Sequence, residues 1–367
     1  MISRRHTLLG LLAGGLAFWR RHSVFARSDQ RRDRIIHRVA FGSCAFQWKE
    51  QPIWSVIAER EPDLFLFIGD AIYGDFDGKK PFTPTADTVR RDWSALAAKP
   101  EFRAFRERVP IMATWDNHDY GSHSGGAEFP LKEMMKAAFL DFFDEPSDSP
   151  RRKRDGIYTE QAFGEPDKRV QVILLDTRTF KGPALRDPRT KEEKKAAGLS
   201  GSMGNYIPNT DPEVTLLGQK QWQWLEDQLR ESADIRFIVS GTQIVADWKG
   251  MDEWGNYPLE RQRLFDLIQS TGASGTIMLT GNVHFAELSK YDGGPYPLYD
   301  FTSSGLTHTN PKYAAAENLY RVGNPYADKN FGLIEIDWSA SPAPMVSFKI
   351  EGRMARPTSS IGCRSKR

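Results

Sequence analysis

Residues 109–121 read VPIMATWDNHDYG, so an apolar run is followed at once by a cluster of polar residues. The run VPIMAT has the length and composition of a strand that is buried on both faces. Asp116, Asn117, His118 and Asp119 stand just beyond it, where such a strand would end. Ligands bind at the carboxyl ends of the strands in open α/β sheets, so this placement indicates a functional site.

Four further apolar runs carry polar side chains at their ends in the same way. The runs are residues 38–43, 63–69, 169–178 and 275–281, and each reads as a buried strand. The polar residues at or just after these ends are Ser43, Cys44, Asp70, Tyr73, Asp75, Asp176, Arg178, Asn282, His284 and Glu287. We expect these side chains to converge on one place, although they lie far apart in the sequence.

Predicted helices alternate with these strands and define the fold class. The helices cover residues 52–60, 88–98, 131–143, 218–231 and 259–269, and another strand covers 235–241. This alternation predicts an α/β protein with strands buried on both sides. Segments 297–304, 331–338 and 345–351 read as strands without intervening helices, which predicts mixed or antiparallel sheet edges. We expect one domain over residues 35–352 and a disordered tail over 353–367.

The first residues have the pattern of an export signal. Arg4 and Arg5 precede an apolar stretch, residues 8–18, that is too short to span a bilayer. Residues 24–26 read VFA, which suits a cleavage site. We therefore predict a twin-arginine signal peptide over residues 1–26, read by the twin-arginine export machinery, and a periplasmic or secreted protein that is not integral to the membrane after cleavage. A membrane anchor or a basic tail is the alternative.

Overall charge and cysteine content argue against a nucleic-acid-binding protein and against a disulfide scaffold. The 50 Lys and Arg nearly balance the 48 Asp and Glu, whereas nucleic-acid-binding proteins usually carry a clear basic excess. Cys44 and Cys363 are the only two cysteines, so the chain is no disulfide scaffold. We expect no bond between them, because Cys363 lies in the polar tail and Cys44 lies at the predicted site.

The chemistry of the polar groups at the strand ends points to metal ions. Carboxylate, amide, imidazole, phenol and thiolate groups are all metal ligands. Anionic groups forced together raise one another's pKa, and a multivalent cation removes that conflict. Two cations about 3.5–4 Å apart form the site that serves phosphoryl transfer. We therefore interpret residues 116–119 as a fragment of a metal cage.

Each of these residues taken alone has a plainer explanation. Asp70 could cap a helix, and Cys44 could be a small buried apolar residue. His284 could be a hydrogen-bonded structural residue, and Tyr73 could pack with its hydroxyl satisfied locally. Arg178 could be an ordinary ion-pair partner. It is their joint placement at the ends of successive strands that favours the metal site.

The order of these motifs resembles a known family. Metallophosphoesterases share a GD motif, then GNH[DE], then G-x-x-H, and IGDAIY matches the GDxxY subgroup that includes purple acid phosphatases. The series FGSC, GDxIYGD, WDxHDYG, LDTR and GxVHFxEL is more similar still to alkaline phosphatase D, the PhoD-like family, as are DEWGNYPLERQRLFDLI and LYDFTSSGLTH. The resemblance runs from about Val39 to about Lys349.

The resemblance implies a four-layer α/β/β/α sandwich with two mixed sheets and metal ions at its edge. It implies a ferric ion held by Cys44, Asp70, Tyr73 and His284. It also implies a second divalent ion, calcium in the best-known members, which Asp70 bridges and whose positions are occupied here by Asn117 and Asn282. His118 would lie beside the phosphate, and Arg178 would be a phosphate-side residue.

Three departures from the family pattern set this chain apart. PhoD-like sequences usually read WDDHDYG and GDVHF, so Asn117 and Asn282 replace two aspartates. An amide oxygen is a poorer ligand than a carboxylate, and our hypothesis is that the second ion is held more weakly or is a different ion. His123 stands where the family tends to have other residues, and we expect it to face solvent.

The implied activity is hydrolysis of a phosphate ester, small molecule or lipid, as an alkaline phosphatase or phosphodiesterase. A hydroxide that bridges the two ions would attack phosphorus in line with the leaving oxygen. The choice between monoester and diester stays open, as does the role of residues 247–257, which either cap the pocket or pack over it. The alternative is a catalytically degenerate relative that binds a phosphorylated ligand or a partner; the two asparagines favour it.

Overall fold

The structure is a computed structural model, which describes residues 33–247 and 249–352 and the backbone of 361–364. The predicted signal peptide lies outside the described residues. No helix within 33–247 or 249–352 is both long and apolar enough to cross a membrane. The helices are α1 (Ile53–Glu59), α2 (Ala86–Ala97), α3 (Pro100–Arg108), α4 (Asn117–Tyr120), α5 (Lys132–Phe142), α6 (Pro150–Lys153), α7 (Lys191–Ala196), α8 (Gly218–Arg230), α9 (Pro258–Ser270) and α10 (Pro311–Ala314).

The strands form two large mixed sheets and a two-stranded ribbon. They are β1 (Arg38–Gly42), β2 (Leu64–Ile68), β3 (Ile111–Thr114), β4 (Thr159–Phe163), β5 (Val170–Leu174), β6 (Leu185–Arg186), β7 (Tyr206–Ile207), β8 (Ile235–Ser240), β9 (Thr276–Thr280), β10 (Ala286–Tyr291), β11 (Leu298–Ser303), β12 (Arg321–Tyr326), β13 (Asn330–Asp337), β14 (Met345–Gly352) and β15 (Ile361–Arg364). The first sheet has the order β15-β14-β13-β1-β2-β3, and the second β12-β10-β11-β9-β8-β5-β4.

Both sheets are mixed, as predicted; antiparallel strands form both edges of the second sheet and one edge of the first, whose other edge is the parallel strand β3. Strands β1, β2 and β3 are parallel in the first sheet, and β5, β8, β9 and β11 are parallel in the second. The late strands β13 and β14 pair antiparallel, as does β10 with both of its neighbours. The carboxyl ends of β1, β2 and β3 and of β5, β8 and β9 are therefore available to one shared site.

Three apolar cores account for the four layers. Phe65 and Phe67 on one face of β2 pack with Trp54 and with residues of α2, α3 and α5, while Leu64 and Leu66 on its other face pack against the second sheet. Alternate side chains of a strand point to opposite faces, so a strand buried on both must be apolar throughout. On the far side, α8 and α9 cover the second sheet. The predicted α/β/β/α sandwich is confirmed.

The tail differs from the prediction. The polar composition of residues 353–367 predicts a disordered tail, yet the backbone of Ile361–Arg364 forms β15 and pairs antiparallel with β14. Its polar composition hides this pairing, because an edge strand needs only a partner with free backbone groups. Cys44 is a free, buried thiol.

Candidate metal centre

The predicted ligands lie where the backbone is held in an unusual conformation. Cys44, Asp70, Asn282 and His284 have φ angles of 65°, 53°, 74° and 59°. Residues other than glycine rarely adopt positive φ, and such conformations persist only where the surrounding structure imposes them. Each stands within four residues of the end of β1, β2 or β9. The backbone strain is thus concentrated at the ends of strands from both sheets.

The structure brings together the residues that the resemblance implies as ligands of the first ion. The Sγ atom of Cys44 lies 3.3 Å from Oδ2 of Asp70. Potential ligand atoms of Cys44, Asp70 and His284 all lie within 4.8 Å of one another. The hydroxyl of Tyr73 lies 3.3 Å from Nε2 of His284. We call these four residues the four-ligand cluster.

Burial disfavours the ionised forms of the acids in the four-ligand cluster. Burial, together with the charge of Asp70, raises the pKa of the Cys44 thiol well above its usual range, and burial likewise raises the pKa values of Asp70 and Tyr73. Burial lowers the pKa of His284 to about 3, so its imidazole is neutral and offers a lone pair. Three buried acids and a neutral imidazole fit a multivalent cation, which would stabilise the ionised donors.

Asn117 and Asn282, which we call the amide pair, line a cleft beside this cluster. The buried Oδ1 of Asn117 has no hydrogen-bond partner among the described residues. Asn282 donates from Nδ2 to the main-chain oxygen of Asp252 at 3.0 Å, which leaves its own side-chain oxygen for another contact. Buried polar atoms are normally satisfied, so the orphaned oxygen fits a cation ligand.

Asp70 lies between the four-ligand cluster and the segment that carries Asn117. Its Oδ2 faces Cys44, while its Oδ1 accepts a hydrogen bond from the backbone N–H of His118 at 3.2 Å. The two oxygens of one carboxylate therefore point to two places. This arrangement suits the bridging role that the resemblance implies.

His118 is a fixed side chain on the wall of the cleft. Its Nδ1 lies 2.5 Å from Oδ1 of Asp75, and its ring stacks on Tyr73 with 4.0 Å between centroids. Burial opposes protonation, but the carboxylates of Asp70 and Asp75 outweigh it and raise the pKa of His118 to about 9. The side chain is thus a positively charged donor before any cation binds.

Arg178 does not have the phosphate-side position that the resemblance implies. Its side chain is 0% exposed. Nε donates to Oδ1 of Asp116 at 2.8 Å, and the same guanidinium is ion-paired with Asp252. Asp252 lines the cleft, whereas Arg178 lies behind it. The plainer alternative, an ion-pair partner, describes its contacts.

The polar cluster at residues 116–119 divides into two functions rather than forming one cage. Asn117 and His118 face the cleft. Asp119 instead accepts hydrogen bonds from the backbone N–H groups of Ile72 and Asp116, at 3.0 and 3.1 Å. Asp116 is bound by Arg178. The contacts of Asp116 and Asp119 thus hold the strand-end loops in place, whereas Asn117 and His118 line the cleft.

Two residues near the four-ligand cluster were missing from the predicted site. Nε2 of His308 lies 3.1 Å from the Tyr73 hydroxyl. Ser304 lies with its Oγ 3.1 Å from Cys44 Sγ and accepts a hydrogen bond from the N–H of His284 at 2.9 Å. Both belong to FTSSGLTH, residues 301–308, which begins on β11. The signal was available, since this run also places polar residues after an apolar strand.

His123 and residues 247–257 both contribute to the wall of the cleft. His123 is exposed as predicted, yet it also lines the cleft, with Nδ1 3.4 Å from Nδ2 of Asn117. Within residues 247–257, Met251 and Asp252 line the cleft while Trp254 is fully buried, so this segment contributes to the cleft wall and also packs inwards. A larger depression of about 710 Å³ lies beside β4, but it contains none of the predicted site residues.

Comparison with known proteins agrees with this geometry. Residues 39–325 match the family model of PhoD-like phosphatases. Alkaline phosphatase D of Bacillus subtilis (strain 168) is 22% identical over 283 residues, which cover 67% of this chain and 45% of that protein. The chain therefore spans less than half the length of this curated relative.

Three solved structures share the fold. PhoD superposes with a TM-score of 0.64 at 18% identity, over 91% of this chain and 73% of that one. GAP50, the anchor in the inner membrane complex of Plasmodium, gives 0.54 at 10% identity over 91% and 90%. Purple acid phosphatase PPD1 from yellow lupin (Lupinus luteus) seeds gives 0.54 at 13% identity over 91% and 55%.

Proposed function

Because the chain belongs to the PhoD-like phosphatase family, we propose that it is a metal-dependent phosphoesterase that hydrolyses phosphate esters in the cleft beside the four-ligand cluster. One observation carries the proposal. Cys44, Asp70 and His284, which come from three separate strand ends, place donor atoms within 4.8 Å of one another. A buried thiol, carboxylate and imidazole at such distances suit a cation, which would compensate their ionised forms.

The residues fit two cations of different character. Thiolate, phenolate, carboxylate and imidazole of the four-ligand cluster would hold one ion, for which we propose ferric iron. The amide pair and the second oxygen of Asp70 would hold a harder divalent ion, for which we propose calcium. When bound, such ions make water a nucleophile near neutral pH and withdraw charge from the phosphoryl oxygens.

His118 supplies a hydrogen-bond donor in this proposal. Asp75 fixes one ring nitrogen and Tyr73 supports the ring face, so the other nitrogen is available to a phosphoryl oxygen or a leaving oxygen. A donor that is held in place before reaction costs little reorganisation in the transition state. Ser43 is an unsuitable nucleophile, since its hydroxyl is buried between Cys44 Sγ and the main-chain oxygen of Ser303.

We further propose that the protein is exported by the twin-arginine route and acts in the periplasm or outside the cell. The proposal rests on the sequence pattern at Arg4 and Arg5. Replacing both arginines with lysine should retain a tagged protein in the cytoplasm, measured by fractionation. Unchanged export of that variant would contradict the route.

A paired assay tests the catalytic proposal. The purified protein should hydrolyse a chromogenic phosphomonoester, a chromogenic phosphodiester or both, and should show a tyrosinate-to-iron absorption band. Prolonged chelation should remove both signals, and restored ions should return them. Absence of turnover towards both esters in a fully metal-loaded sample would contradict a phosphoesterase.

A degenerate protein that binds a phosphorylated ligand or a partner is the second candidate. Asn117 and Asn282 favour it, because together they lack two negative charges that the family pattern usually has. The same fold also occurs in a protein described as an anchor, GAP50. Tight binding of inorganic phosphate without turnover of either ester would support this candidate.

A further inference from the structure

The guanidinium of Arg178 joins two loops that border the cleft. Its Nε donates to Oδ1 of Asp116 at 2.8 Å, and its other branch is ion-paired with Asp252. The backbone N–H of Arg178 is itself held by Asp176 at 2.9 Å. Both the side chain and its backbone are therefore fixed, and the side chain is completely buried.

Asp116 and Asp252, the two residues that pair with Arg178, are each joined directly to a member of the amide pair. Asp116 directly precedes Asn117 in the chain. Asp252 accepts the Nδ2 hydrogen bond of Asn282 through its main-chain oxygen. A continuous path of bonds thus runs from Asn117 through the guanidinium to Asn282.

We propose that Arg178 is a positioning residue that sets the spacing of Asn117 and Asn282 and thereby the affinity of the second cation site. This inference deepens the proposed function and rests on it for the existence of that site. Arginine suits the task because its planar fork can bind two carboxylates in fixed directions, whereas a lysine presents a single point charge.

A lysine cannot bind both carboxylates in the directions that the guanidinium fixes. Asp116 is fully buried and the side chain of Asp252 is 12% exposed, so a carboxylate that loses its arginine hydrogen bond is left poorly compensated. The loops that carry them would separate, and the two amide oxygens would move apart. Cys44 and His284 of the four-ligand cluster are both held by Ser304, which lies outside these two loops, and should keep their geometry.

The test is a calorimetric titration of Arg178→Lys with calcium and, separately, with manganese, on protein whose iron site is loaded. We expect the affinity of the second ion to fall about 10- to 100-fold, as for other residues that orient metal ligands. The absorption band of the first ion should be unchanged. Activity of Arg178→Lys that is lost at low calcium should return at saturating calcium, because a site of lower affinity is still occupied when the ion concentration is high enough.

Arg151→Lys is the matched control. Arg151 is also buried, donating to Glu145 at 2.8 Å and to the main-chain oxygen of Ala113 at 2.9 Å, and none of its bonds within the described residues reaches the cleft. It should lower the melting temperature to a similar extent while leaving both ion affinities within about twofold of the parent protein. A loss confined to Arg178→Lys is then not a general effect of destabilisation.

A double-mutant cycle tests the path itself. If Arg178 acts through Asn282, the variant that combines Arg178→Lys with Asn282→Ala should bind the second ion little worse than Asn282→Ala alone. Additive losses would overturn the proposed path. The inference is also overturned if Arg178→Lys retains ion affinity but raises KM and weakens phosphate inhibition, because that pattern indicates direct phosphate contact.

These experiments distinguish failure of the proposed function from failure of the inference about Arg178. Should the parent protein bind the second ion but turn over no ester, the phosphoesterase proposal fails while the ion titration still decides the role of Arg178. Should the loaded parent protein bind neither calcium nor manganese at this position, the inference about Arg178 is overturned, whatever the activity.

Discussion

The four-ligand cluster and the amide pair lie side by side, yet they are built on opposite electrostatic principles. The cluster gathers a thiol, a carboxyl and a phenol whose pKa values burial raises, so its acids can ionise together only with a cation. The amide pair is neutral, and Asp116 and Asp252 beside it are already paired with Arg178. The comparison indicates that the four-ligand cluster requires a highly charged cation, whereas the affinity of the amide pair for its ion depends on the spacing of the two side chains.

Asp70→Asn should have the largest effect, because this carboxylate faces both places. We expect loss of the tightly bound first ion, weaker binding of the second, and activity about 10³-fold lower. Elemental analysis measures the two bound ions, and an ester hydrolysis assay measures the activity. Full retention of the second ion in this variant would contradict the account, because it would show that the amide pair binds this ion without Asp70.

Glu287→Gln tests how the loop beside the amide pair is anchored. Glu287 binds Lys249 at 3.0 Å, three residues before Asp252. Burial alone would raise the pKa of Glu287, but Lys249 and Arg321 lower it to about 2. Against an ordinary value near 4.5, this contributes about 3 kcal/mol to the free energy of unfolding at neutral pH.

The pH dependence of that contribution has a definite sign. A carboxyl whose pKa is lowered on folding stabilises the protein above about pH 4.5, and the stabilisation disappears as pH falls towards about 2. Denaturant unfolding of the parent protein and Glu287→Gln should therefore differ at pH 7 and converge in acid. A constant difference across this range would contradict the assignment.

His118→Asn should separate chemistry from ion binding. We expect kcat to fall about 10²-fold because a fixed proton donor is lost, while both ions stay bound. An unchanged absorption band and calcium affinity would show that His118 takes no part in binding either ion. Loss of either ion would show that His118 is a ligand instead of a donor.

Asn282→Asp should have the smallest effect and acts on the amide pair alone. The added charge should increase calcium affinity about tenfold and leave the first ion unaffected. Calorimetric titration measures the change. Unchanged affinity and activity would count against the hypothesis that the asparagines weaken the second site.

Much of the fold could be predicted because its strands are buried on both sides. Leu64–Ile68 is apolar at every position and could be read from the sequence without ambiguity. Helix α3, Pro100–Arg108, was missed because its many charged residues hide the two phenylalanines that pack inwards. Strand β15 was missed because backbone pairing at a sheet edge leaves little signal in composition.

The site could be predicted as a set of strand ends but not as a set of side-chain directions. Cys44 and His284 were identified by position, and the structure brings them together. Asp116 and Asp119 had the right chemistry and position, yet both serve the loops. The burial of Arg178 depends on Asp252, which is 74 residues away, and no local pattern contains that contact.

The most direct test of the account is a crystal structure of the natively expressed protein with anomalous scattering data at the iron absorption edge. The account predicts a strong peak within bonding distance of Cys44 Sγ, Tyr73 Oη, His284 Nε2 and an Asp70 oxygen, and a weaker non-iron site at the amide pair. An active, well-ordered protein with no metal peak at these four side chains would contradict it.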